Sequence, residues 1–434
     1  MIGILGGGLS GLALASLLRD AEVLERSDRA GGLCRSLEFE GFTFDPHGSH
    51  ILFSRDPRAM AFYENLLGDN VCRRRRNAKV FYKGRYIKYP FENGLSDLPL
   101  EDNLRCTLGY VQAYVGRNNG APTPTNFREW LQYRFGEGLA QCYLIPYNEK
   151  IWKMPTEAMG IEWIDGRVPD PPLEDVLKSS LGIPTEGYTH QLNFLYPRVG
   201  GVESLIRGLL PRVGRIVTRF PVSSITRRGG TWLVGDGRET REYDALVSTI
   251  PIPELVRALP DAPTSVRRAA ESLQHRSLVT VMLGIDRPEV NDFSWVYFPL
   301  PEQGRFNRIS YPSNFSDRSA PEGTSSALAE ITCVEGDEVW SASDDAIVEH
   351  VLERAEALGL FPRADVIASQ VARTRYAYVV FDREHRRNLD LVKAYAAELG
   401  IRLLGRFGEF DYINTDQCIL RGIALASKLE AAAS

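Results

Sequence analysis

Cysteine and histidine are scarce in this 434-residue chain, six of each, and no two cysteines form a CxxC pair. Cys34, Cys72, Cys106, Cys142, Cys333 and Cys418 are dispersed along the sequence. That spacing argues against a paired-cysteine zinc site and for buried free thiols in a reducing compartment. A basic excess is missing as well: 51 Lys and Arg against 56 Asp and Glu leave a net charge of −5. No general field is therefore available to recruit nucleic acid or an anionic membrane, and an anion has to be caught by local groups. Long apolar spans are also lacking. Residues 1–18, MIGILGGGLSGLALASLL, carry no charge, yet five glycines, no positively charged leader and no small-residue cleavage site fit neither a membrane helix nor a signal peptide. The expectation is a cytoplasmic protein with no membrane span and no nucleic-acid partner.

What is present is ordinary globular material, 44% hydrophobic and 25% charged, enough for two or three domains of roughly 150 residues. MIGIL reads as a strand, Gly6-Gly7-Gly8-Leu9-Ser10-Gly11 as a glycine turn and LALASLL as a helix. In this dinucleotide-binding context Gly6 permits the tight turn, Gly8 lets the backbone approach a pyrophosphate and Gly11 lets helix and strand pack closely. AEVLE supplies a second strand ending at Glu25, placed for a ribose hydroxyl, although the interval from Gly11 is shorter than usual. The pair Gly31-Gly32 a few residues later resembles the FAD-binding members of the two-dinucleotide-binding flavoproteins rather than NAD dehydrogenases. The resemblance returns at YDALVSTIP (243–251) and TRFPVSSI (218–225), where Val222 would lie against the adenine.

Apolar residues at Leu100, Leu104, Leu108, Val111 and Val115 have helical spacing, and a second helix carries Phe127, Trp130, Leu131 and Phe135. Residues 153–190, rich in Pro and Gly, read as loops rather than packed elements, with 165–172 and 184–191 as flaps that close on substrate. Strand-like runs at 277–285, 295–298, 307–311 and 326–333 predict an antiparallel sheet, followed by a helix over 344–358. The predicted fold is α/β: a Rossmann-like FAD-binding domain with a helical insert and an antiparallel β-sheet domain. Its segments are 1–95, 191–270 and 399–434 for the FAD-binding unit, 96–190 for the helical substrate domain and 271–398 for the sheet.

The runs FDPHGSHILFS (44–54), YPFENGLSDLP (89–99), PYNEKIWKMP (146–155), YPRVGG (196–201), WVYFP with FNRISYPSNFS (295–316), RYAYVVFD (375–382) and GRFGEFDYINTDQ (405–417) occur in that order. In these the chain resembles the UDP-galactopyranose mutase family, more its eukaryotic branch, within the FAD-dependent amine oxidase-like superfamily. The resemblance implies FAD that acts when reduced, its N5 bonding the anomeric carbon while the nucleoside diphosphate leaves and the sugar recloses as a furanose. It implies an isomerase acting on a nucleotide-diphosphate sugar, with NADPH or NADH as reductant.

By position in these motifs the resemblance places Arg167 and Arg308 on the diphosphate, a task suited to bidentate guanidinium groups, with Tyr378 and Tyr412 donating to it. It places His50 beside the flavin, with His47 as a competing candidate, and Arg76 near it. Arg406, Asn414, Asp416 and Gln417 fall in the terminal cofactor loop and helix start. Tyr89, Phe91, Glu92, Asn148, Trp152 and Tyr297 fall at the substrate. Glu92 stands where the family pattern has glutamine, and an ionised glutamate only accepts hydrogen bonds. A base other than uracil, or a Glu92 turned to solvent, would each accommodate it. The competing reading is an FAD oxidase or dehydrogenase of the amine oxidase or protoporphyrinogen oxidase type, and a third is a degenerate flavoprotein acting as a binding module. Neither the sugar, the base, the reductant nor the oligomeric state follows from the sequence.

Overall fold

The computed structural model describes residues 1–164, 171–186 and 192–433. Its first layer is a five-stranded parallel sheet in the order Arg402–Leu403, Ala245–Ser248, Ile2–Leu5, Ala21–Leu24, Arg215–Val217. Ile4, Leu5, Val23, Leu24, Leu246 and Val247 are all buried, because helices cover one face and further chain the other, so these strands read as apolar runs rather than alternations. Each such side chain contributes roughly 1.5–3 kcal/mol on full burial. Gly6, at φ +105°, turns the chain from the first strand into the wholly buried helix Leu9–Ala15, which packs on the C-terminal helix Thr415–Ala433. A Cβ on Gly11 would lie 2.2 Å from the Gly6 carbonyl oxygen, so the close helix–strand approach expected of this glycine is what the backbone shows.

A second, seven-stranded sheet runs Val366–Val379, His275–Ile285, Ser325–Cys333, Arg308–Ser310, Trp295–Tyr297, Ala78–Tyr82, Arg85–Lys88. All its pairings are antiparallel except that of Trp295–Tyr297 with Ala78–Tyr82. The strands Ala78–Tyr82 and Arg85–Lys88 thus hydrogen-bond into this sheet, although they lie within residues 1–95, grouped above with the nucleotide unit. The helix Asp344–Ala357 buries Ile347, Val351 and Ala355.

Helices Leu100–Asn118 and Phe127–Leu139 cross with their backbones in contact. A Cβ on Gly138 would lie 2.4 Å from the Arg105 carbonyl oxygen and one on Gly136, at φ +76°, 2.1 Å from that of Gly109. A π-helical turn, Ala140–Leu144, then leads into Ile145–Trp152. The apolar spacing marks the first helix, but its packed face is a different one: Leu100, Leu104, Leu108 and Val115 are exposed, while Cys106, Gly109 and Tyr110 are buried. Gly109 sets which face turns inward, because the close crossing leaves no room there for a side chain. The segment 153–190 is not merely loop: Leu173–Ser180 is a helix docked through Ser179 Oγ, which accepts from Leu95 N at 3.0 Å, and Thr107 Oγ1 donates to Ser180 Oγ at 2.9 Å. The predicted flaps fall largely on residues outside those described, as does Arg167.

Candidate active site

The layers enclose a cavity of about 810 Å³ that runs from the glycine turn to the seven-stranded sheet. At the first end, Gly8 begins the helix and faces Gly32; at φ +56° a Cβ on Gly32 would lie 2.9 Å from the Gly8 Cα. Gly31 N donates to the Gly7 carbonyl at 2.7 Å, which seats the paired glycines against the turn. Glu25, at the end of the second strand, lines the cavity and accepts from Gly7 N at 2.9 Å and Ser27 N at 2.8 Å. Val222, Arg406, Asn414 and Gln417 line the same space. Asp416 does not: one carboxylate oxygen accepts from Ser54 Oγ at 2.8 Å and the other is buried.

The FDPHGSH loop is pinned from two sides. Asp45 is buried, accepts from Ser36 Oγ at 2.8 Å, Tyr196 hydroxyl at 2.9 Å and Val202 N at 3.0 Å, and burial raises its pKa to about 6. Thr280 of the long strand donates to the Pro46 carbonyl at 2.7 Å. This presents both His47 and His50 to the cavity, so the structure brings the two candidates together. Burial, followed by arginine charge, lowers His47 to about 4 and His50 to about 3, so both rings are neutral at physiological pH. His47 Nδ1 is 2.7 Å from Thr374 Oγ1, whereas His50 Nδ1 is buried with no partner within hydrogen-bond geometry.

Arg308 projects from the seven-stranded sheet with one edge fixed. Its Nε donates to Glu330 at 3.0 Å and one terminal nitrogen donates to the two Glu330 oxygens at 2.6 and 2.8 Å. Glu330, fully buried, also accepts from Ser49 N at 3.2 Å and faces the Tyr378 hydroxyl at 3.4 Å. Burial opposes the arginine's charge, but Glu330 outweighs it and holds the guanidinium protonated. The other terminal nitrogen makes no bond to a described side chain and is available to a ligand. Sequence reasoning missed Glu330: an acid inside a buried strand, AEITC, was the only signal. Tyr378 and Tyr412 stack at 6.3 Å, and Trp152 meets them edge-on at 6.2 and 6.0 Å. Arg406 lies over the Tyr412 ring at 5.3 Å.

The aromatic wall continues through Tyr89 and Tyr297, 5.1 Å apart, and Tyr147, which meets Tyr297 edge-on at 5.2 Å. Tyr147 lines the cavity and was missed although its motif, PYNEKIW, was read. Four expectations change. Asn148 reaches the cavity, but its amide donates to Leu144 O at 2.7 Å and accepts from Trp152 Nε1 at 3.0 Å, so it orients the tryptophan. Phe91 is core, stacked on Tyr143 at 4.9 Å, and Arg76 lies behind Tyr89, 5.1 Å from its ring. Glu92 is neither at the cavity surface nor turned to solvent: it is buried, and burial raises its pKa to about 7 against its own backbone N–H and Arg76.

The sequence profile of flavin-containing amine oxidoreductases matches residues 9–405. The chain belongs to that family. Among solved structures it is similar to a reduced UDP-galactopyranose mutase at 25% identity and TM-score 0.89, covering 99% of this chain and 95% of that one. It is similar in fold to a structure described as a protoporphyrinogen oxidase from Exiguobacterium sp. 255-15, 19% identical with TM-score 0.78 over 99% and 98% of the chains. It also shares its fold with a putrescine oxidase bound to putrescine, 18% identical with TM-score 0.67 over 99% and 98%.

The residues present fit the family's FAD. A Cβ on Gly32 would press on the Gly8 Cα and close the glycine cradle, Glu25 stands at the strand end, and His50 lines the same space. Among the described residues, no group of three or more His, Cys, Asp or Glu could hold a metal ion, and no helix is long and apolar enough to cross a membrane.

Proposed function

We propose that this flavoprotein is a mutase interconverting the pyranose and furanose forms of a nucleotide-diphosphate sugar. The observation that carries the reading is Arg308: a permanent cation whose inner edge is locked by Glu330 and whose outer edge opens into an aromatic-walled cavity continuous with the dinucleotide turn. A guanidinium fixed in this way can meet a diphosphate without reorganising as charge builds on the leaving group. Tyr378 and Tyr412 line the cavity with it, and burial raises the Tyr378 phenol, which keeps it a neutral donor. Tyr89, Tyr147 and Tyr297 supply apolar surface for the nucleoside. Reduced FAD, when bound, supplies the nucleophile for the anomeric carbon. Neutral His50 lines the same space and adds no charge beside it. Arg167 is proposed as the second diphosphate cation, and NADPH or NADH as reductant.

Neutral Glu92 removes the earlier objection to uracil. Buried behind the cavity wall and raised to about 7 by that burial, it presents no ionised carboxylate to the base. The oxidase reading takes its support from the family profile and shared fold. The locked arginine and ring of tyrosines favour the mutase, since an amine substrate would meet like charge at Arg308. Anaerobic incubation of the reduced protein with UDP-galactopyranose and UDP-galactofuranose separates the readings: the mutase yields an isomer of unchanged mass. Oxygen-dependent peroxide release with an amine or porphyrinogen, and no isomer, would reject it.

A further inference from the structure

Cys106 and Cys142 lie outside the cavity, and the proposed reaction does not use them. Both are buried, one on the helix Leu100–Asn118 and the other in the π-helical turn Ala140–Leu144, with their Sγ atoms 3.7 Å apart. The glycine crossing explains why they meet: a Cβ on Gly138 would lie 2.6 Å from the Cys106 Cα, so no larger residue could bring the π turn this close. No other pair of cysteine sulfurs lies within hydrogen-bond distance among the described residues.

The surroundings of the two thiols differ. Arg105 donates to Cys142 Sγ at 2.6 Å, and Asp102, which would oppose a thiolate, is paired with Lys83 at 2.6 Å and Arg105 at 3.5 Å. The Cys106 hydrogen bond first, then Tyr82 and Arg105, draw the Cys142 pKa below the ordinary thiol value against burial. Cys106 is pushed up by its bond to Cys142 and by burial, and burial also raises Cys34, Cys333 and Cys418. The Arg105 guanidinium against its sulfur marks Cys142 as the nucleophile and Cys106, 3.7 Å away, as the resolving thiol, and because both are buried an oxidant reaches them through local opening of the helix pair.

We propose that Cys106 and Cys142 form a modification site, a dithiol that hydrogen peroxide converts to a disulfide. The Cys142 thiolate attacks one peroxide oxygen, the O–O bond breaks, and the departing hydroxide takes up a proton to leave as water. Cys142 is then a sulfenic acid. The Cys106 sulfur gives up its proton and attacks the sulfenic sulfur; the S–O bond breaks and a second water leaves. Two thiols lose two electrons and two protons, and one peroxide is reduced to two waters. The sulfurs have to close to roughly 2.0 Å, a movement that falls on the π turn, where the helical ladder is already interrupted. The new bond ties the outer helix to the turn that leads into Ile145–Trp152, which carries Tyr147, Ile151 and Trp152 to the cavity wall. Reduction by a dithiol releases it.

The test uses the purified flavin-bound protein, reduced and then freed of reductant. It is exposed to graded hydrogen peroxide, denatured with N-ethylmaleimide and mapped by peptide mass spectrometry. A Cys106–Cys142 cross-linked peptide is expected to form at least ten times faster than oxidation at Cys34, Cys72, Cys333 or Cys418, and to disappear with dithiothreitol. In Cys106→Ala, dimedone is expected to label Cys142. Recovery of Cys106 and Cys142 as free thiols while the other four oxidise, or no dimedone adduct in a folded Cys106→Ala protein, would overturn the proposal. The wild-type map decides the question even where the variant does not fold.

Discussion

Glu92 shows at residue scale how environment overrides identity. Its folded pKa of about 7 lies above the ordinary 4.5, so the stability it lends is fully present below pH 4.5 and is lost as pH rises through 7. Glu92→Gln should therefore gain stability relative to wild type between pH 4.5 and 8, on the order of 2–3 kcal/mol. Urea unfolding of both proteins at the two pH values checks this; a pH-independent difference would contradict it. Glu330 makes the complementary case. Glu330→Gln leaves Arg308 buried beside a neutral amide, a change that costs about 3–5 kcal/mol and frees the guanidinium to rotate. A fall in Tm together with at least tenfold weaker UDP binding by calorimetry is expected, and unchanged values for both would refute the positioning role. Motif order made Arg308, Tyr378, Tyr412 and the glycine turn legible in the sequence, because each occupies a local pattern. Glu330 was hidden because its meaning depends on register: it stands opposite Arg308 on the neighbouring strand.

At the scale of elements, the helical insert shows what sequence periodicity leaves undecided. Leucines spaced as an inner stripe point outward, and the crossing is set instead by Gly109, Gly136 and Gly138. Periodicity reports that a helix exists; which face packs depends on a partner that the helix's own sequence does not contain. Gly138→Ala should destabilise the protein by about 1–3 kcal/mol, since its methyl would press on the Arg105 carbonyl. Leu104→Glu, on the exposed side, should change unfolding free energy by no more than about 0.5 kcal/mol. Denaturant titration of the two variants reads both, and the reverse ordering would place the stripe inside. The strands were easier to locate, because alternation and apolar runs are local, yet Ala78–Tyr82 and Arg85–Lys88 join a sheet whose other members lie some 200 residues away, and no local signal records that.

For the whole molecule, the cavity belongs to no single layer. The glycine turn and Glu25 come from the parallel sheet, Tyr147 and Trp152 from the helical insert, and Arg308, Tyr297 and Tyr378 from the seven-stranded sheet. Under the proposed function, this junction would let a dinucleotide cofactor and an anionic substrate share one continuous space, the cofactor touching the sugar while the protein holds the leaving group. The most direct test is turnover under anaerobic conditions with the flavin reduced by dithionite, supplying UDP-galactofuranose or UDP-galactopyranose and separating products by chromatography. The account predicts an isomer of unchanged mass, formed only with reduced flavin and at least a hundredfold more slowly in Arg308→Ala. Reduced protein that binds flavin and nucleotide yet yields no isomer from any nucleotide sugar would contradict it.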